Sequence, residues 1–391
     1  MAYYSSTAKN DKRLIMPRIP YATQWIEEDD IEAVITALKS ANLTQGPLVE
    51  EFERKVAEYC GAKYAVAVNS GTSALHIACL VAGIKAGDEV ITSPITFVAS
   101  ANCALYCGGR PVFADIRSDT VNIDSREIEK KITPRTKAII PVHFAGNPCD
   151  LEDIHSIAQK NKLMVIEDAA HALGAEYKGS KIGSCKYSDM TTLSFHAVKH
   201  ITTGEGGMVL TNSEELYEKL KLFRSHGITR DERYLQKNDG IWYYEMHGLG
   251  YNYRLTDIQC ALGISQLKKL DAFLSKRRKI AELYDRAFSG MRGIKLIPES
   301  KNTRSAMHLY VIQVDDRPRI FQSLREKGII VNVHYIPVYK QPHYQKLGYG
   351  GLLCPKAESY YQKAISIPMY PKMGEEQVSQ VIKMIKEAVG V

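Results

Sequence analysis

Residues 64–81 read YAVAVNSGTSALHIACLV. The first five residues form an apolar run typical of a β-strand, a turn of small residues follows, and residues 72–81 have the pattern of a helix. The same alternation continues to about residue 166, with strands predicted at residues 89–92, 111–116, 137–144 and 163–170 and helices at residues 99–106, 125–131 and 151–160. Such regular alternation predicts an α/β fold with a parallel sheet covered by helices on both faces.

The alternation changes after residue 168. Two strand-like runs, at residues 189–195 and 207–211, are joined by a loop rather than by a helix, and a helix follows at about residues 213–227. Residues 256 to about 288 have one long helical pattern without proline, which we expect to cross between domains. The remaining residues predict a smaller α+β domain. Residues 231–253 are predicted to form a surface loop, and Trp25 and Trp242 are expected to be packing residues.

The composition excludes several classes of protein. Of 391 residues, 45% are apolar and 24% are charged, and 51 basic against 44 acidic side chains give a net charge of +7. The apolar fraction is too high for a disordered chain, and the small charge excess gives no support to nucleic-acid binding. Eight cysteines are scattered without a CxxC pair, so neither disulfides nor a metal site are expected. No signal peptide or membrane-spanning run is recognisable, which predicts a cytoplasmic protein without a membrane partner.

Three loops at the predicted carboxyl ends of strands carry polar residues, and parallel sheets bind ligands at that edge. The first, NSGTSAL at residues 69–75, places small residues and Thr72 at the start of a helix, where backbone amides favour a phosphate. The same residues would equally make an ordinary helix N-cap. The second, EDAAH at residues 167–171, places Asp168 where an apolar strand leaves the core. Its carboxylate either faces a cation or caps the next turn.

The third loop, SFHAVKHITTGEGG at residues 194–207, carries Lys199 directly after a strand. A lysine shielded from water there has a lowered pKa and a nucleophilic amine, although most lysines are solvated surface charges. Together, a phosphate cradle, a carboxylate and an amine able to form a Schiff base indicate pyridoxal 5′-phosphate (PLP). Phe97 is available to stack on the cofactor ring. His143, at a strand end, is interpreted as a hydrogen-bonded histidine that supports its loop.

The chain resembles the DegT/DnrJ/EryC1/StrS family of sugar aminotransferases in the motifs NSGTSAL, SPITFVAS, EDAAHALGAEYKG, SFHAVKHITTGEGGMVLTN and YNYRLTDIQCALGISQLKKLD. The resemblance implies PLP fold type I, the aspartate aminotransferase-like fold. Its large PLP-binding domain, with a mostly parallel central sheet, is expected at residues 19–265, and its smaller C-terminal α+β domain at residues 266–391. A homodimer with shared active sites is also implied. Residues 1–18 match no part of the family and are expected to be a flexible extension.

The resemblance also assigns roles to single residues. Lys199 is the implied catalytic lysine that binds the cofactor, and Asp168 is the implied partner of the pyridine nitrogen. The implied cofactor contacts are Gly71, Thr72 and Ser194 at the phosphate, Phe97 on the ring, His171 near the 3-oxygen, and Asn252 from the other subunit. Many relatives have glutamine where His171 stands. The implied substrate contacts are Tyr21, Asn42, Leu43, Thr44, Gly71, Ser194, Asn252, His334 and Tyr335.

The activity implied by the resemblance is transamination. An amino group would pass from L-glutamate to C4 of a UDP-linked 4-keto-6-deoxy-N-acetylhexosamine, giving UDP-4-amino-4,6-dideoxy-N-acetyl-β-L-altrosamine for pseudaminic acid synthesis. Some relatives have histidine in place of the lysine and are dehydratases, so Lys199 favours transamination. Two alternatives stay open: a relative that acts on another carbon or epimer, and a PLP-binding regulatory protein without turnover. A nicotinamide dehydrogenase is disfavoured because no GxGxxG follows a strand.

Overall fold

The structure, a computed structural model, describes residues 18–390, so all but the last residue of the predicted N-terminal extension lie outside the described residues. The strands are β1 Tyr64–Val68, β2 Glu89–Thr92, β3 Arg110–Phe113, β4 Thr136–Ile140, β5 Met164–Asp168, β6 Glu176–Tyr177, β7 Ser180–Lys181, β8 Met190–Ser194, β9 Gly207–Thr211, β10 Ile228–Thr229, β11 Glu245–Met246, β12 Lys295–Leu296, β13 Thr303–Arg304, β14 Tyr310–Gln313 and β15 Ala364–Ile367. The helices are α1 Glu28–Lys39, α2 Pro47–Cys60, α3 Gly71–Val81, α4 Ala99–Tyr106, α5 Ser125–Lys131, α6 Leu151–Asn161, α7 Glu214–Arg224, α8 Asp257–Leu267, α9 Leu270–Phe288, α10 Arg317–Glu326, α11 Pro342–Tyr344, α12 Pro355–Lys363 and α13 Glu375–Val389.

The central sheet has seven strands in the order β1–β9–β8–β5–β4–β2–β3. The pairs from β8 through β5, β4 and β2 to β3 are parallel, whereas β9 is antiparallel to both β1 and β8. Successive strand residues alternate between two apolar layers, as Ala65 and Ala67 of β1 pack in one layer and Val66 and Val68 in the other. The predicted α/β fold with a mostly parallel sheet is confirmed.

Helices cover both faces of this sheet, as predicted. On one face Phe52 of α2, Ile154 of α6 and Leu274 of α9 join the first apolar layer. On the other face Ile77 of α3 and Leu220 of α7 join the second layer. Because both faces are buried, the ends of the strands are the part of the sheet left open to a ligand.

The carboxyl ends of β1, β5 and β8 meet at one edge of the sheet. β1 and β8 are both antiparallel to β9, so they run in the same direction, and the register places Gly207 opposite both Val68 and Ser194. Asp168 ends β5, which is parallel to β8. The three loops that carry the candidate residues therefore leave the sheet side by side.

A second, antiparallel sheet has the order β12–β14–β15. It packs with α9, α10 and α13 around a separate core that contains Ile280, Ile312, Leu324 and Val381. Ile19 belongs to the same core, and its amide donates to the Gly328 carbonyl at 3.0 Å. This part of the molecule has the α+β character expected of the C-terminal residues, while the domain boundary at residue 265 stays a prediction.

The single long helix predicted for residues 256–288 is wrong, because the structure has two helices there. α8 ends at Leu267 and α9 begins at Leu270. Between them the Lys269 amine binds the Asp30 carboxylate at 2.8 Å and lies 3.2 Å from Glu27. This tertiary contact leaves no mark on the helical periodicity, so the pattern could not show the interruption.

The two tryptophans have different surroundings. Trp25 stacks on Phe273 with 5.4 Å between ring centroids, as expected of a packing residue. Trp242 is 70% exposed, so the prediction of packing is wrong for this residue, because the segment that carries it lies on the surface between β10 and β11. Across residues 18–390, no helix combines the length and the apolar character needed to cross a membrane.

Candidate active site

Lys199 lies in the loop that follows β8. Its amide donates to the His196 carbonyl at 2.9 Å, which closes a tight turn. The side chain is half-buried, and burial lowers the pKa of its amine to about 8, with the Asp168 carboxylate opposing this shift and Arg277 adding to it. A substantial fraction of the amine is therefore neutral near pH 8, as a nucleophile or a general base requires.

Asp168 is held by hydrogen bonds at the end of β5, where it is only 5% exposed. Ser100 on α4 donates to its Oδ2 at 2.6 Å, and the Ala170 amide donates to its Oδ1 at 3.1 Å. The Thr96 hydroxyl lies 2.6 Å from Ser100 Oγ, which extends the chain of hydroxyl groups behind the carboxylate. These donors orient the carboxylate without cancelling its charge. A buried anion is thus presented to a cationic group of a ligand.

The first turn of α3 forms a cradle against β8 and β9. Ser70 caps this helix, and Thr72 lies in its first turn. A Cβ atom on Gly71 would lie 2.9 Å from Ser194 Cβ, and one on Gly207 would lie 2.3 Å from the Ser70 carbonyl oxygen. Glycine at both positions allows this close approach. It brings the Ser194 hydroxyl to a helix N-terminus, whose free amides favour a phosphate.

His171 and Tyr335 line another side of the site. The Tyr335 hydroxyl lies 3.2 Å from His171 Nε2, and the two rings stack with 6.2 Å between centroids. Burial, and then the nearby Lys199 amine, hold the pKa of His171 well below its usual value. Among residues 18–390, its buried Nδ1 has no hydrogen-bond partner, which is costly unless a ligand supplies one. The exposed ring of Phe97 lies 6.5 Å from the Tyr335 ring.

Tyr21 and His334 lie next to this group. Their rings are 5.8 Å apart, and the His334 ring is 4.7 Å from that of Tyr335. His334 Nδ1 lies 2.8 Å from the Ser366 hydroxyl. Burial, and then Lys199, lower the pKa of His334 to about 4. His334 is therefore neutral at physiological pH and can offer a ligand hydrogen bonds rather than a positive charge.

The other predicted substrate residues have different neighbours within one chain. Asn42, Leu43 and Thr44 are exposed, and the Leu43 carbonyl accepts a hydrogen bond from the Asp257 amide at 3.1 Å. Asn252 is also exposed, and its carbonyl accepts from the Asn69 side chain at 3.4 Å. Residues 42–44 therefore contact the start of α8, and Asn252 contacts the loop before Gly71, rather than the His171 group.

Sequence reasoning missed Thr96, Ser100 and His308. Thr96 and Ser100 lie within SPITFVAS, beside Phe97, and a serine in the first turn of a helix at this edge was a usable signal. His308 has its ring 4.3 Å from that of His171, yet it comes from a segment far along the chain and carried no local signal.

The interpretation of His143 as a hydrogen-bonded histidine that supports its loop is confirmed. Its ring is fully buried, and the Cys149 amide donates to its Nδ1 at 3.1 Å. The proton must then lie on Nε2, which donates to Glu167 at 2.8 Å. Glu167 points to the opposite face of β5 from Asp168, because successive strand residues alternate. The His143 side chain therefore lies on the other face of β5 from the Asp168 carboxylate and supports the start of its loop there.

These residues fit PLP. The Gly71 cradle suits the phosphate, the Asp168 carboxylate suits a protonated pyridine nitrogen, and the Lys199 amine suits the aldehyde. The unpaired Nδ1 of His171 suits a polar substituent of the ring. PLP supplies, when bound, a ring that accepts electrons from the carbon under attack.

Comparison with known proteins supports the same conclusion. Residues 24–386 match the DegT/DnrJ/EryC1/StrS aminotransferase family. The Bacillus subtilis spore coat polysaccharide biosynthesis protein SpsC is 42% identical, over 95% of this chain and 97% of its own. The UDP-4-amino-4,6-dideoxy-N-acetyl-β-L-altrosamine transaminase of Campylobacter jejuni is also 42% identical, over 91% of this chain and 93% of its own.

A solved structure agrees with the fold. Helicobacter pylori PseC, an aminotransferase involved in the biosynthesis of pseudoaminic acid, is similar with a TM-score of 0.88 and 38% identity, covering 95% of this chain and 99% of that chain. The expected PLP fold type I is confirmed. Given a family match across most of the chain, the protein belongs to the DegT/DnrJ/EryC1/StrS family of PLP-dependent sugar aminotransferases.

Proposed function

We propose that this enzyme transfers the amino group of L-glutamate to C4 of a UDP-linked 4-keto-6-deoxy-N-acetylhexosamine. The product would be UDP-4-amino-4,6-dideoxy-N-acetyl-β-L-altrosamine, an intermediate of pseudaminic acid synthesis. The observation that carries the transfer is the desolvated Lys199 amine beside the buried Asp168 carboxylate. Support for the particular sugar comes from the likeness to the Campylobacter jejuni transaminase.

Lys199 is proposed to move the protons of both half-reactions. Its neutral amine would remove the proton from Cα of glutamate and pass it to C4′ of the cofactor, and in the second half the amine would take a proton from C4′ and deliver it to C4 of the sugar. Asp168 would stabilise a positive charge at the pyridine nitrogen. The hydrogen bonds that its carboxylate accepts from Ser100 and Ala170 would hold it in that orientation during both half-reactions.

The sugar nucleotide is proposed to bind against the aromatic group beside Lys199. Neutral His334 and the hydroxyls of Tyr21 and Tyr335 offer hydrogen bonds to a sugar, and their rings offer apolar surface. Gly71 and Ser194 are proposed to contact the substrate as well as the cofactor phosphate. The exposed residues Asn42, Leu43, Thr44 and Asn252 are proposed to reach the substrate at a subunit interface.

A homodimer with shared active sites is proposed on the basis of exposed apolar surface. α1 exposes Ile31, Ile35 and Leu38, spaced as one face of a helix, and Trp242 is exposed on the segment between β10 and β11. Asn252 is exposed beside the loop that leads to the phosphate cradle, where a second subunit could take it up.

A second candidate is the same transfer on a different nucleotide sugar. SpsC is 42% identical to this chain, as the Campylobacter jejuni enzyme is, and its name places it in spore coat polysaccharide biosynthesis. A different carbon or epimer would then be aminated. From another class of protein, the alternative is a PLP-binding regulator without turnover.

One experiment separates these functions. The purified chain, loaded with PLP, is incubated with L-glutamate and a panel of UDP-linked 4-keto-6-deoxy hexosamines, and the configuration of the product is determined by NMR. We expect the 4-amino-altro product and one 2-oxoglutarate for each sugar aminated. A different epimer or carbon as the only product would overturn the proposed substrate. A visible cofactor band that glutamate fails to bleach would instead indicate the regulator.

A further inference from the structure

Three buried histidines form a column beside the candidate site. The ring of His308 lies 4.3 Å from that of His171 and 5.2 Å from that of His200, measured between centroids. Each residue is at most 7% exposed. His200 Nε2 lies 3.1 Å from the Ala306 carbonyl, so that nitrogen carries the proton. The fit to PLP described above uses His171 alone and leaves the other two histidines without a role.

Arg277 of α9 lies against this column and is only 1% exposed. Its Nη1 donates to the carbonyls of Met307, His308 and Met369 at 3.3, 3.2 and 3.1 Å. Within residues 18–390, no carboxylate oxygen lies within 4.0 Å of the guanidinium nitrogens, and burial lowers the pKa of the group to about 10. Arg277 therefore stays charged at neutral pH. A buried charge without a counter-ion is unusual and calls for a reason.

The backbone that carries His308 is fixed from two sides. On one side the His308 amide donates to the Ala145 carbonyl at 2.8 Å, and a Cβ on Gly146 would lie only 2.7 Å from the His171 carbonyl oxygen. On the other side Arg277 binds the carbonyls of residues 307 and 308. The His308 ring is thereby clamped against the His171 ring.

We propose that Arg277 is a positioning residue for His171. Its bonds to the 307–308 backbone set the His308 ring against His171, and its charge disfavours a second positive charge in the column. The imidazoles stay neutral, and His171 keeps an unpaired Nδ1 for the cofactor. The inference rests on the proposed function only in taking the cofactor as the contact of His171. The histidine column and Arg277 are present whichever sugar is the substrate.

The charged groups that face the column mostly lower the pKa values of its three histidines. Burial is the largest cause of the lowered pKa of each histidine, and neighbouring positive charges add to it. The charged and titratable groups that face the column from the surrounding elements are Lys199, Arg277, Arg278, His334, Tyr335 and, beyond Lys199, Asp168.

The test uses the full chain loaded with PLP and three variants. R277M removes the charge and the donors, R277K keeps the charge, and R278M is the matched control. Arg278 is the next residue of α9 and also donates to a backbone carbonyl of this segment, that of Ser305 at 3.3 Å, but it is half-buried. The protonation of ¹⁵N-labelled histidines is followed by NMR from pH 5.5 to 8.5, and the visible absorbance of the cofactor is titrated over the same range.

In R277M we expect a histidine of the column to begin to titrate. The midpoint of the cofactor absorbance should also move up by about one pH unit, a tenfold change in the equilibrium. R277K should match the wild type in both measurements. R278M should change them much less than R277M does, because Arg278 is the weakest of the charges that lower the pKa of His200. If R277M fails to fold, H308Q replaces it, and it should shift the same absorbance midpoint.

Unchanged histidine and cofactor titrations in R277M, with only a loss of thermal stability, would overturn the proposal and leave Arg277 a structural residue. A shift of equal size in R278M would overturn it as well. Failure of the wild-type chain to aminate any keto-sugar would count against the proposed function alone, since the histidine spectra do not depend on turnover.

Discussion

Lys199 and Lys219 show how strongly position changes a lysine. Lys219 lies on α7 and pairs with Glu215 at 2.6 Å, in contact with water. Lys199 lies beside β8, where burial lowers the pKa of its amine to about 8. The two residues have the same chemistry in a peptide, so the difference comes from the loop and the sheet edge that surround Lys199.

Changing Lys199→Ala is expected to reduce turnover by about 10³-fold or more, because it removes the amine that moves the proton from the donor. PLP should still bind through the phosphate cradle. The release of 2-oxoglutarate from glutamate measures the effect, and Lys219→Ala is the control that should keep the wild-type rate. An active Lys199→Ala enzyme would remove this lysine from the mechanism.

The pH dependence of cofactor capture follows from the same pKa. Below about pH 8 the Lys199 amine is mostly protonated and cannot attack an aldehyde. The rate constant for PLP capture by the cofactor-free chain is therefore expected to rise with pH and to level off above about 8. Stopped-flow absorbance measures this rate. A rate that kept rising up to pH 10 would show that burial does not lower the pKa of the amine.

At the scale of elements, the cradle depends on how closely α3 approaches β8. In Gly71→Ala the new Cβ would lie 2.9 Å from Ser194 Cβ. Crowding of this kind costs about 1–3 kcal/mol, so we expect PLP to bind about tenfold or more weakly, as measured by titration of the visible band. Gly351→Ala meets no atom within 4 Å and should bind PLP normally. Equal affinity in both variants would contradict the cradle.

At the junction between α8 and α9, the Lys269 amine pairs with the carboxylates of Glu27, Asp29 and Asp30. The Asp30 carboxylate is fully buried, and Lys269 lies 2.8 Å from it. Changing Lys269→Met leaves that carboxylate without its cation and should lower the free energy of unfolding by about 3 kcal/mol. Urea unfolding at pH 7 measures the loss, and exposed Lys279→Met on α9 is the control.

The stabilisation that the Asp30 carboxylate gives to the fold should depend on pH. The donors around Asp30, Lys269 foremost, outweigh burial and lower its pKa, so the carboxylate stabilises the fold above its unfolded pKa and loses that effect as the pH falls. The difference between Lys269→Met and the wild type should therefore shrink in acid. A constant difference from pH 7 to pH 3 would contradict the role of the pair.

The main elements, and the meeting of the candidate residues at one edge of the sheet, could be predicted because their signals are local. Asp168, Lys199 and the Gly71 loop each follow an apolar strand directly, and parallel topology brings strand ends together. Ser100 and His308 act through contacts between distant segments, to Asp168 and to His171, which no periodicity contains. The break at Lys269 depends on Asp30 in the same way.

For the whole molecule, the proposed homodimer with shared active sites makes a prediction about mixtures of two variants. If Lys199 of one subunit works with Asn252 of its partner, a heterodimer of Lys199→Ala and Asn252→Ala subunits contains one intact site. After subunit exchange, half of the dimers are mixed, so about a quarter of the wild-type activity should return. Each variant incubated alone is the control. A mixture no more active than the better variant would show that each chain completes its own site.

β9, the strand that is antiparallel to both of its neighbours, also affects the order in which the chain folds. β9 follows every other strand of the central sheet in the sequence, and it alone joins β1 to β8. Until it inserts, the Gly71 loop and Ser194 belong to unconnected pieces of chain. Pairings between such distant residues form slowly. Uptake of PLP by a refolding chain should thus be a late event that indicates a complete central sheet. Because PLP binds the folded chain and not the unfolded one, its binding then shifts the folding equilibrium toward the folded state.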